Sequence, residues 1–188
     1  RRQRQMCIRD SFTAPGDEFF KFSQEDEPSF DVSKFSEKWN TEKAELSAKY
    51  NQNKESIVGE SRTNEQADLS YELGGLAFKI LREINPENGV FVRLDAMIKA
   101  RHAQLCMTNL GKNAEFTREK CENLLKDAKL LLDDNFETLN EIQGLMGAQL
   151  LVAISVYFGD IETLGKYMKF IDNFDTSNKP EERSQTAK

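Results

Sequence analysis

One histidine, His102, and three cysteines, Cys7, Cys106 and Cys121, are the side chains in this sequence best suited to nucleophilic or metal chemistry. Their spacing argues against both. No second histidine stands four residues from His102 around a glutamate, the pattern by which one helix face offers two imidazoles to zinc. The cysteines sit in unrelated contexts and make neither a disulfide framework nor a paired metal spacing. Gly111-Lys112-Asn113 lacks the hydroxyl residue after the lysine and the glycine-rich turn of a phosphate loop. Asp133-Asp134-Asn135 lacks the glycine and final spacing of a calcium loop. His102 falls with Lys99 and Arg101 on a charged helical surface, which predicts a solvated imidazole. Cys106 and Cys121 lie near apolar stripes and read as small core residues. The sequence therefore predicts no catalytic residue, no metal and no cofactor: a protein that is not an enzyme.

The elements around these residues are helical in character. Charged residues make up 31% and apolar ones 38%, with four prolines in 188 residues. That balance suits a helix-rich or coiled-coil chain of one domain. No run of about 18 apolar residues is present, so no membrane span is expected. The unpaired cysteines and the lack of a secretory signal point to the reducing cytosol. Residues 1–11, RRQRQMCIRDS, resemble a translated sequencing adaptor and are expected to be non-native. They hold four basic residues and one acidic, so the remainder is more acidic than the formal net charge of −6. A natural nucleic-acid arm is the rival reading of that segment, and no nucleic-acid partner is expected.

Residues 12–35 carry Pro15-Gly16, Pro28, acidic residues and six phenylalanines without a period, which predicts a disordered or loosely packed arm. Phe19, Phe20 and Phe22 could anchor a protein partner's groove, or the arm could pack on its own domain. The helical domain is expected over residues 36–175, followed by a disordered tail over 176–188. Within it, helical patterns cover residues 36–51, with Trp39 as a packing residue, then 65–84 and 90–110. Gly74-Gly75 interrupts the second pattern, and Asn85-Pro86-Glu87-Asn88-Gly89 is the clearest break.

From residue 115 to 174 apolar positions recur at spacings of three and four, the stripe of a coiled-coil-like helix, with Gly159-Asp160 as a place where it could split. Residues 150–156 are apolar nearly all round. A helix apolar on every side must be covered on every side, and a chain this size can hardly do so alone. Self-association follows as an expectation. Charge is also uneven: residues 93–129 hold eight basic and five acidic groups, whereas 130–165 hold six acidic groups and no Lys or Arg.

Three places resemble BAR domains of the endophilin and amphiphysin type. Lys99-Ala100-Arg101 followed by Leu105 resembles the end of the second BAR helix. Leu110-Gly111-Lys112 and the stretch to Lys129 resemble the tip loop and the start of the third helix. LNEIQGLMGAQLL, residues 139–151, resembles the third-helix segment of the dimer seam. The resemblance implies an all-α fold, an antiparallel three-helix coiled coil forming an elongated crescent-shaped homodimer. It implies a cytoplasmic, peripherally membrane-associated module that senses or shapes curvature in vesicle trafficking or endocytosis. The anionic lipid contacts would be Lys99, Arg101, Lys112, Arg118 and Lys120. The dimer seam would hold Leu139, Ile142, Leu145, Met146, Gln149, Leu150 and Ala153.

Departures from that pattern stand beside it. Residues 104–110 are uncharged where family members often cluster Lys and Arg, and Asn85-Pro86 interrupts the second helix. One alternative is a coiled-coil protein-interaction scaffold without lipid affinity. Another is a helical regulatory domain, because residues 143–165 resemble the Gln-x-Leu-rich helix and Gly-Asp turn in the middle region of fungal zinc-cluster transcription factors. That alternative predicts a compact helical array, an upstream cysteine cluster that this sequence lacks, and no membrane binding.

Overall fold

Asp31 starts the first helix. Its Oδ1 accepts hydrogen bonds from the backbone N–H groups of Ser33 (3.0 Å) and Lys34 (3.1 Å), donors that a helix start otherwise leaves unpaired. Helix α1 then spans Val32–Asn53, so residues 32–35, expected in the loose arm, are helical. The computed structural model describes residues 30–53, 60–112 and 116–177. Residues 1–29, 54–59, 113–115 and 178–188, with the adaptor-like segment, most of the arm and most of the tail, lie outside the described residues.

Helix α2, Glu60–Ile84, runs antiparallel to α1, because Lys38 meets Glu83 at 2.7 Å while Lys79 meets Glu42 at 3.4 Å. Gly74 and Gly75 do not interrupt it. A Cβ at Gly74 would touch Ile98 at 3.7 Å, so the pair marks close packing of the next helix. Two phenylalanines of the arm are among the described residues. Phe30 stands edge-on to Phe35 and Phe91 with centroids 5.6 and 6.4 Å apart, and Phe35 stacks on Trp39 at 5.9 Å.

The Asn85–Gly89 break is a turn, as expected. Asn88 caps α3, Gly89–Thr108, by accepting from the Val90 N–H at 3.0 Å. Helix α4, Arg118–Asp134, begins at Thr117, whose hydroxyl accepts from the Lys120 N–H at 3.1 Å. The core lies where α3, α4 and α5 meet. Val92, Ala96, Ala100 and Ala103 of α3 face Leu125, Ala128 and Leu132 of α4, with Ala148, Leu151 and Ile154 of α5 and Tyr167 of α6. Small residues let the backbones approach, and each fully buried Leu or Ile contributes about 1.5–3 kcal/mol.

The long stripe over 115–174 is not one helix. It is divided into α4, a 3-10 turn at Phe136–Thr138, α5 (Glu141–Phe158) and α6 (Ile161–Ser177). Two asparagines explain the first break. Asn135 Nδ2 donates to the Leu131 carbonyl at 2.8 Å, and Asn140 Oδ1 accepts from the Gln143 N–H at 2.8 Å. Such local bonds compete with continuation of a helix. The second break is Gly159, at φ +70 with its N–H on the preceding turn's carbonyls, a left-handed ending that favours glycine. The all-helical character holds among the described residues, but six helices stand where three long ones were expected.

Close contact makes two glycines respond oppositely to alanine. At Gly89 a Cβ would lie 2.6 Å from the Thr138 carbonyl oxygen, whereas Gly165 faces open space in α6. Gly89→Ala is expected to destabilise by about 1–3 kcal/mol through overpacking. Gly165→Ala is expected to stabilise by about 1 kcal/mol through helix propensity. Urea unfolding midpoints check both signs.

Candidate functional site

Two faces of the molecule hold the residues singled out in the sequence. The first is the inner face of α3. His102 is buried there rather than solvated. One helical turn brings it alongside Cys106, also buried, and α2 supplies Asp68 opposite. Asp68 Oδ1 lies 2.5 Å from His102 Nε2, and Lys120 Nζ from α4 lies 2.8 Å from both Asp68 oxygens. Glu72 adds a longer ion pair to Lys120 at 3.6 Å. Burial pushes the Asp68 carboxyl up, but the His102 and Lys120 hydrogen bonds outweigh it and hold the carboxyl below its usual range. An ionised Asp68 only accepts, so His102 Nε2–H is the donor. Tyr71 stacks on the imidazole at 5.5 Å. Cys106 and Cys121 are free and buried, as the apolar stripes predict. Burial pushes the Cys106 thiol from 9.0 up to about 12.

This cluster takes Lys120 out of the expected lipid-binding set, since its side chain is 23% exposed and committed to Asp68. Lys99 is similarly engaged: it pairs with Asp95, a fully buried carboxylate that also meets Arg82 at 3.3 Å. Arg101 is half-buried on α3. Lys112 is exposed on the turn after α3, and Arg118, 80% exposed, reaches Glu122 at 3.3 Å. Two of the five predicted cations, Lys99 and Lys120, are therefore committed to buried carboxylates. Lys112 and Arg118 face solvent near the α3–α4 connection, beside the exposed Leu110.

The second face is the outer side of α5. Gly144, Gly147, Ala148, Leu151, Ile154 and Ser155 point inward. The greasy belt is thus partly sheltered within the chain, which the sequence did not predict: Leu151 and Ile154 are buried, and Leu150 and Val152 pack against the core. Ile142 and Val156 remain 63% exposed. They stand two turns to either side of Gln149, also exposed, so all three share one face. Leu145, Met146 and Ala153 flank it, half-buried. Of the expected seam, Leu139 and Leu150 instead pack inward against the core. Past the Gly159 turn the uncovered surface includes Ile161, 81% exposed, and Met168.

Helix α5 reaches a mean hydropathy of 1.3 over its 18 residues, enough to cross a membrane by length and composition alone. The sequence was expected to hold no such segment. Its inner side, however, packs on α3, α4 and α6.

Sequence reasoning missed Asp68, Arg93 and Ile161, and held Val156 only as part of the apolar belt over 150–156. Arg93 is buried and donates from Nε to Gln143 Oε1 of α5. The seven-residue spacing of Ile142, Gln149 and Val156 was available as a signal. Nothing local marks Asp68, whose partners lie 34 and 52 positions away. No family model matches the chain, and no curated protein or solved structure matches it significantly.

The α5–α6 turn has a pH signature. Asp160 accepts from the Thr163 hydroxyl at 2.7 Å and the Thr163 N–H at 3.1 Å, and pairs with Lys129 at 3.0 Å. These contacts hold its carboxyl down from 3.8 to about 2. A depressed folded pKa gives stability that is present above the unfolded value and lost as pH falls through the folded one. Between about pH 4 and pH 2, Asp160→Asn is expected to lose less thermal stability than the unsubstituted protein. Melting curves across that window test the difference.

Proposed function

We propose that this chain is a non-enzymatic helical interaction domain, of the regulatory kind that forms the middle region of fungal zinc-cluster transcription factors, working as a pair of copies joined along the outer side of α5. The observation that carries the reading is the α5–α6 hairpin. An apolar helix ends on a left-handed Gly159, and Asp160 caps the next helix, which folds back so that Phe170 approaches Gly144. That hairpin supports the resemblance noted at residues 143–165. An array of short helices also suits this reading better than a long crescent, which needs uninterrupted rods.

Pairing is supported by the outer face of α5. Ile142 and Val156 on one stripe, with Gln149 between them, repeat at the interval by which helices mate. A second copy would shelter surface that six helices leave in water. The free thiols suit a reducing compartment.

A membrane-curvature module is the second reading, favoured by Lys112, Arg118 and the exposed Leu110 near the α3–α4 connection. Each cation near anionic lipid is worth about 1 kcal/mol. Lys99 and Lys120 contribute little to such a surface while they neutralise Asp95 and Asp68.

Light scattering on the purified chain is expected to give a dimer at tens of micromolar. Ile142→Glu combined with Val156→Glu is expected to give a monomer with unchanged far-ultraviolet circular dichroism. A wild-type monomer would sink the pairing. Co-sedimentation with phosphatidylserine vesicles is expected to show no binding, and salt-sensitive binding would move the function to the curvature reading.

A further inference from the structure

We propose that Asp68, His102 and Cys106 form a latent site for one divalent ion of the zinc class, with Lys120 as the resident cation that the metal displaces. The inference is independent of the reading above. His102 and Cys106 stand one turn apart on α3, and Asp68 faces them from α2. Each is buried, and one ligand atom from each residue lies within 4.8 Å of the others. Four-coordinate zinc, with bonds of about 2.0–2.3 Å, sets ligand separations of roughly 3.3–3.8 Å. Asp68 Oδ1 and His102 Nε2, 2.5 Å apart in their direct hydrogen bond, must open by about 1 Å to admit the ion between them. An imidazole, a thiolate and a carboxylate together favour a borderline ion over calcium or magnesium, which take oxygen alone.

The charge at this point already belongs to a cation. The Lys120 ammonium sits 2.8 Å from both Asp68 oxygens, on a partly exposed, flexible stem. Metal entry breaks that pair and releases the ammonium toward Glu72, 3.6 Å away. The metal bonds to Asp68 Oδ1, His102 Nε2 and Cys106 Sγ. The imidazole proton moves to Nδ1, the thiol proton goes to solvent, and one water completes the set. The high thiol pKa makes binding tighten as pH rises.

The test is titration of the full chain with Co²⁺, a spectroscopic stand-in for zinc, under reducing conditions. A thiolate-to-cobalt charge-transfer band saturating at one equivalent is expected. It should survive Cys7→Ser and Cys121→Ser and disappear in Cys106→Ser. Lys120→Met, which removes the competing charge, should tighten binding by roughly tenfold. Circular dichroism identifies any variant that fails to fold, and Lys120→Met keeps the test decisive if Cys106→Ser does. No band in the folded wild-type chain, a band that persists in folded Cys106→Ser, or unchanged affinity in folded Lys120→Met would each overturn the proposal.

Discussion

A helix enclosed on nearly all sides can carry charge only where a neighbour supplies the opposite charge or a hydrogen bond, and α3 carries three such groups. Arg93, Asp95 and His102 are all buried on it. Each is answered from a different place: Gln143 of α5, Arg82 of α2 with Lys99 of α3 itself, and Asp68 of α2. Removing a single partner from such a pair leaves an uncompensated group, at a cost of several kcal/mol. These polar links fix which helices may neighbour α3 and in which register. Apolar packing alone is less selective, because Leu and Ala stripes tolerate sliding.

Within that register, small residues set the spacing. Ala96, Ala100 and Ala103 face Ala128 and Ala148, so α4 and α5 approach α3 closely. Gly147 admits Leu139 and Leu132, and Gly144 admits Phe170. The same economy of side chains leaves α5 with apolar residues to spare. Its inner stripe is consumed by the core, and its outer stripe is not. The functional reading follows from that asymmetry, because an uncovered apolar helix face is a place for another surface to sit.

The basic residues illustrate how tertiary structure reassigns charge. In sequence, Lys99, Arg101, Lys112, Arg118 and Lys120 look like one cationic group near a turn. In the fold, Lys99 and Lys120 point into the protein, where buried carboxylates hold them. A count of charges along a segment records how many cations exist. Their availability depends on carboxylates brought from elsewhere in the chain.

Helical content, the Asn85–Gly89 turn, the buried cysteines and the apolar stripe of the last third were all legible in the sequence, because period and turn chemistry are local properties. The Gly159-Asp160 split was legible too. The break at Asn135 and Asn140 was missed, since asparagine is compatible with a helix surface as well as with a cap, and only the packing of Phe136 against Tyr167 and Phe170 favours the cap. His102 looked solvated beside Lys99 and Arg101, and it became buried because Asp68, Tyr71 and Lys120 converge on it from two other helices. Local pattern determined which residues form helices and which stripes are apolar. Which stripe meets which, and whether a charge faces water or a partner, depends on contacts between residues far apart in sequence, and only the assembled helices decided it.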